Sequence, residues 1–123
     1  MRRMVALAAG VFLASPALAE MPERIIGNWC MGDSGEVMRV DAYGIGFNEN
    51  FVCQISNFAN SETGFEVDLS CANTIIYEGE IVRMDQKDTR LEVDYINPSE
   101  MLGRMTDLAQ GAPVETVEFK RCE

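Results

Sequence analysis

The chain reads as an all-β protein, a small antiparallel up-and-down barrel or sandwich of about seven or eight strands. Three observations carry that reading. Apolar and polar residues alternate with a period of two in several short runs. Clusters of Gly, Asn, Asp and Ser recur between those runs as turn signals. Four cysteines, an even number, are available to cross-link a chain too short for a large core.

The first residues belong to a different kind of segment. Met1-Arg2-Arg3 is basic, Met4 to Leu18 is almost entirely apolar, and Ala17-Leu18-Ala19 supplies small residues at alternate positions. Together these describe a secretory signal peptide over 1–19, too short to span a bilayer comfortably, with cleavage after Ala19. The residue directly after that site is Glu20 and not a cysteine, so a lipid anchor is not expected. Residues 20–123 then form a single β-barrel-like domain, placed in the periplasm or secreted, with no membrane span left after cleavage.

Ile25-Ile26-Gly27-Asn28-Trp29-Cys30 opens the fold. Gly32-Asp33-Ser34-Gly35 is a turn, after which Met38 and Val40 point inward and Glu36 and Arg39 outward. Tyr43, Ile45 and Phe47 alternate with Gly44, Gly46 and Asn48 as another half-buried strand. Asn48-Glu49-Asn50 turns the chain into a hairpin running from Phe51 to Cys71.

That hairpin is the clearest element. Phe65, Val67, Leu69 and Cys71 alternate with Glu66, Asp68 and Ser70, one apolar face and one solvated face. Phe51, Cys53 and Ile55 do the same, and Asn60-Ser61-Glu62-Thr63-Gly64 is the turn. Setting Cys53 opposite Cys71 brings Ile55 opposite Leu69. The same register leaves Asn57 against Val67, a poor match that predicts a bulge toward the turn. A Cys53–Cys71 disulfide closes a loop of about 18 residues and contributes roughly 3 kcal/mol through chain entropy. With four cysteines three connectivities are open, and free buried thiols are the alternative. The favoured pairing adds Cys30–Cys122, which ties the first strand to the last and contributes about 4.7 kcal/mol in the same model.

From Asn73 to Asp85 the alternation changes phase around Gly79, a bulge or bend in one long strand or a break between two. Asp85-Gln86-Lys87-Asp88 reads as a polar turn, and Leu91, Val93 and Tyr95 as the next strand. Asn97-Pro98-Ser99-Glu100 looks like a helix start, with Asn97 as N-cap, Pro98 at N1 and Glu100 at N3. Met101, Leu102, Met105 and Leu108 follow at helical spacing, and Gly111 and Pro113 end the run. The spacing predicts a short amphipathic helix over 98–109, lying across a barrel mouth or side, against which Gly103 and Thr106 weigh. Val117 and Phe119 mark the last strand.

Histidine is absent. That removes the Ser-His and Cys-His nucleophile pairs and the commonest zinc and copper ligand. No C-x-x-C, phosphate-binding glycine loop or EF-hand spacing is present. The carboxylates occupy the outward phase of the strands, where they solvate a face. The methionines left after cleavage, which could in principle take Cu(I), serve as core filler. No catalytic residue, metal or cofactor is expected, and the protein is not expected to be an enzyme.

The formal net charge is −10. Cleavage removes Arg2 and Arg3 and no acidic residue, leaving about −12. Such a surface repels nucleic acid and anionic membranes and attracts a basic protein.

Gly27-x-Trp29, Cys30, Gly44 with Phe47, Cys53, Cys71 and the terminal Arg121-Cys122 carry a resemblance. Over nearly all of the mature part the chain resembles small exported four-cysteine proteins of Gram-negative bacteria, mostly of unassigned function. In outline it is also similar to lipocalin-like periplasmic protease inhibitors, which are disulfide-closed barrels. The resemblance implies a glycine that permits tight entry to the first strand and a tryptophan that plugs one end.

The expected function is therefore a non-enzymatic binding module of protein-binding or inhibitor type, with a basic envelope or extracellular protein as partner. Carriage of a small apolar ligand is the alternative, with Tyr43, Phe47, Tyr77 and Tyr95 lining the barrel. A structural envelope component is a third, docking through Met101, Leu102, Met105 and Leu108 on the exposed helix.

Overall fold

The computed structural model describes residues 21–111 and 114–122; the segment 1–19, expected from the sequence to be a signal peptide, lies outside them. Eight antiparallel strands close into an up-and-down barrel, each paired with the next and the last with the first. In chain order they are β1 (Gly27–Met31), β2 (Glu36–Val40), β3 (Ile45–Phe47), β4 (Phe51–Asn60), β5 (Gly64–Tyr77), β6 (Glu80–Asn97), β7 (Glu100–Asp107) and β8 (Glu115–Arg121). A single turn of 3₁₀ helix, Glu23–Ile25, precedes them.

Both disulfides form as expected, Cys30–Cys122 and Cys53–Cys71. Cys53 stands directly opposite Cys71 and Ile55 opposite Leu69. The bulge near Asn57 is there too, between Ser56 and Ala59. At the bulge Asn57 adopts φ 53° and turns its side-chain amide onto Asp68, donating a 2.7 Å hydrogen bond. That bond, together with a two-pronged contact from Arg90 at 2.8 and 3.1 Å, holds the Asp68 carboxyl below the usual range. The mismatch of Asn57 with Val67 is thus resolved by pointing Asn57 at the polar outer face.

One end of the barrel is sealed. Trp29 is buried inside β1 and donates its indole N–H to the Ile25 carbonyl at 2.9 Å. Arg121, at the end of β8, lies over the Trp29 ring with its guanidinium carbon 4.2 Å from the ring centroid. The same guanidinium donates to the carbonyls of Arg24, Ile26 and Pro98. One side chain therefore pins the 3₁₀ turn, the entry to β1 and the β6–β7 turn. Gly27 is required here, because at φ 132° a Cβ would run into the Arg121 guanidinium.

Two sequence expectations change. The run 98–109 is not a helix: Glu100–Asp107 is strand β7. Met101 and Gly103 face the core, with Met105 beyond them, while Leu102 and Arg104 lie on the other face. Gly103 hid this period of two by contributing no side chain to the inward face. It is small because the Phe119 ring fills the space beside it, and a Cβ would sit 2.5 Å from Phe119 Cε2. The apparent helix cap is a hairpin turn, in which the Asn97 side chain accepts from the Ser99 N–H at 2.8 Å. Asx turns and N-caps use the same side-chain chemistry, so local sequence cannot separate them.

Asp85–Asp88 is not a turn either, but lies within the long strand β6. Cys71 pairs with Lys87 and Asn73 with Met84, so β6 carries an extra residue in a bulge, with Asp85 at φ 58°. The true turn is Glu78-Gly79, both at positive φ, which separates β5 from β6 as a two-residue hairpin.

Substituting Gly103 by Ala distinguishes the two readings of this region. In a helix it would stabilise; packed against Phe119 it is expected to cost about 1–3 kcal/mol, read from the denaturant midpoint.

Candidate functional site

The end opposite Trp29 is open. β4 begins at Phe51, which pairs with Asn73, and β7 ends at Asp107, which pairs with Thr89. Among the described residues no strand continues the sheet on either side beyond single bonds from Thr74 to the Asn50 carbonyl and from Leu108 to the Asp88 carbonyl, so residues 74–88 of β5 and β6 rise from the rim as a two-stranded ribbon. The bulge at Asp85 sits at its base, with the Asn73 amide donating to the Asp85 carboxylate at 3.3 Å.

The ribbon is apolar on both faces. Ile76 pairs with Ile81 on one, and Ile75 pairs with Val82 on the other, next to Tyr77 and Met84. Ile76 is 78% exposed, Ile81 74% and Tyr77 62%. Isolated ribbons are marginal in water, and clustered exposed apolar side chains mark a contact surface. The sequence signal was Ile75-Ile76-Tyr77 and Ile81-Val82 flanking Glu78-Gly79: apolar residues in both phases beside turn chemistry.

Beside the ribbon base the barrel mouth forms a cup of about 710 Å³. Phe47, Phe51, Leu69, Met105 and Val117 contribute apolar walls, and Cys71 of the buried disulfide lies among them. Asp33, Glu36, Glu115 and Glu118 stand around it against Lys87 alone among the basic residues. The mouth is thus apolar below and acidic above.

The residues expected to line a ligand cavity do not gather there. Phe47 does line the cup. Tyr43 is 77% exposed in the loop between β2 and β3, on the sealed side. Tyr77 stands at the ribbon tip. Tyr95 lies near the β6–β7 turn, half-buried, donating its hydroxyl to Asn60 at 2.6 Å and lying beneath the Arg24 guanidinium. Burial pushes its hydroxyl pKa up.

The expected docking set also scatters once the helix is replaced by β7. Met101 is core, Leu102 is half-buried on the outer wall, Met105 lines the cup, and only Leu108 is well exposed.

Among the described residues no cluster of acidic residues or cysteines is arranged to hold a metal ion, and no helix is long and apolar enough to cross a membrane. Two disulfides with no free thiol indicate an oxidising compartment outside the cytoplasm. No family model matches the chain, and no curated protein or solved structure matches it significantly.

Because Ile76 and Ile81 pack against little else, replacing both by Ser is expected to shift stability by no more than about 0.5 kcal/mol. The same change should abolish most binding of an environment-sensitive apolar dye, a comparison made by thermal melt and fluorescence on one preparation.

Proposed function

We propose that the protein is an exported, non-enzymatic, protein-binding module of inhibitor type, a lipocalin-like barrel acting in the periplasm or outside the cell on a basic protein. The observation that carries this reading is the ribbon of residues 74–88, which projects apolar side chains from both faces beside an acidic mouth. A projecting apolar element supplies contact area that a partner can desolvate. The surrounding carboxylates raise the rate at which a cationic partner arrives and reject acidic ones. An overall charge of −10 acts in the same direction. Anionic membranes and nucleic acid are disfavoured as partners by that charge.

The test is direct binding of the purified protein to a panel of basic proteins, with acidic proteins of matched size as controls. Binding is expected for one or more basic members, weakening steadily with salt and falling at least tenfold when Ile76 and Ile81 are both replaced by Ser. Equal binding to acidic controls, or none to any basic protein, would reject the reading.

A second reading rests on the cup. A volume of about 710 Å³ walled by Phe47, Phe51 and Leu69 suits a small apolar ligand, and eight-stranded barrels can hold one. An uncharged fluorescent fatty alcohol is expected to bind if the cup is a carrier site. Met105→Trp, which fills the cup, should then displace it; binding untouched by that change would place the ligand elsewhere.

A further inference from the structure

The ribbon has an unused edge as well as two apolar faces. Thr74, opposite Arg83, turns its N–H away from the ribbon and donates it to the Asn50 carbonyl at 3.0 Å. Opposite residues in an antiparallel ladder either exchange both bonds or turn both outward. Arg83 therefore points its N–H and C=O to the other edge of the ribbon, and so does Ile81, two residues along and opposite Ile76. The strand that would meet them is β7, and it stops short. Asp107 pairs with Thr89, Leu108 donates one last bond to the Asp88 carbonyl, and the chain then turns back toward β8. Among the described residues no backbone group pairs with Ile81 or Arg83 on that side.

We infer that this edge of β6, from Glu80 to Lys87, is where an extended segment of the basic partner adds as an extra strand, continuing the line that β7 leaves. This rests on the protein-binding reading above and states how that site is used. Strand addition satisfies the outward N–H and C=O groups of Ile81 and Arg83, giving affinity through the main chain. Alternate side chains of the added segment fall beside Ile81 on one face and Val82 on the other. Its charge is set by what lies along the track. Glu80 and Asp85 are on the edge strand, Asp88 and Asp107 lie where β7 ends, and Glu115 and Glu118 stand at the mouth. Arg83 and Lys87 offset them only in part. A segment alternating basic and apolar residues matches this edge, whereas a second copy of this acidic chain would meet like charge.

The probe is an alternating lysine–valine peptide, with an alternating glutamate–valine peptide as control. Arg83→Pro removes the outward N–H without touching a backbone ladder bond to β5, at the loss of the guanidinium bond to the Ser70 carbonyl of β5 at 3.2 Å, and proline is tolerated at such edge positions. Arg83→Ala removes the same side chain and keeps the N–H, so the pair isolates the backbone contribution. The lysine peptide is expected to bind Arg83→Pro about fivefold more weakly than Arg83→Ala. It should also slow hydrogen exchange at the Ile81 and Arg83 amides. A lysine peptide N-methylated at alternate residues, tested on the unmodified protein, should lose binding and guards against a folding defect in the proline variant.

Equal affinities for the two variants with unprotected amides would overturn strand addition while leaving side-chain docking by the ribbon intact. Equal binding of the glutamate peptide would overturn the charge assignment. A dimer abolished by Arg83→Pro, with no peptide bound, would assign the edge to a second copy. Failure of every basic protein in the preceding binding test would remove the protein-binding reading itself and this inference with it.

Discussion

The pairing of β1 with β8 is the constraint on which the rest of the molecule depends. Among the described residues only three pairs make it: Trp29 with Arg121, Cys30 with Lys120 and Met31 with Phe119. Without them the eight strands are an open sheet with two bare edges and no enclosed interior. So short a ladder is secured by independent means. Cys30–Cys122 closes it covalently, the Cys122 N–H donates to the Asn28 carbonyl, and Arg121 spans Trp29 to three backbone carbonyls. These contacts all lie where β1 meets β8, so sealing one end of the barrel and closing its seam are the same event.

Closure there leaves the other end free to differ. The sealed end is filled by Trp29, Ile25 and the Arg121 clasp, and the strands beside it end in tight turns. At the open end the strands have unequal lengths. β3 spans Ile45–Phe47, whereas β5 and β6 run on to Tyr77 and from Glu80. The surplus forms the ribbon, and the missing length of its neighbours leaves the edge unpaired. The cup, ribbon and edge thus follow from one mismatch in strand length rather than from three separate devices.

The charge of the chain constrains how this can be stable. Carboxylates on one small domain repel, which favours expansion. The outer wall answers locally: Arg90 bridges to Asp68 and Glu66, and Arg104 to Asp94 and Glu92, in a cross-strand pattern. These exposed pairs are each worth little in water, so the disulfides and the buried Trp29–Phe119 interior supply most of the resistance. Among the described residues the rim of the cup has no comparable set of arginines, so Asp33, Glu36, Glu115 and Glu118 are not bridged in that way.

Period-two alternation sufficed to determine the all-β class and the inward faces of β2 and β3, and, once Cys53 is set opposite Cys71, the register and bulge of the 51–71 hairpin. It sufficed because a strand buried on one side exposes its period directly. The cysteine count left three connectivities open, and the favoured pairing, Cys53–Cys71 across the hairpin and Cys30–Cys122 between first and last strands, is the one that forms. Where inward positions hold small residues or a bulge shifts the phase, the signal failed. Gly103 made β7 look helical, and Asp85 made the middle of β6 look like a turn. The gathering of a site was not legible at all. Tyr43, Tyr77 and Tyr95 share a strand-like phase with their neighbours, yet the barrel sends them to opposite ends. Which strands outrun their partners depends on register summed around a closed sheet, a property of all eight strands together, and that sum alone decided where the ribbon stands and which edge it leaves bare.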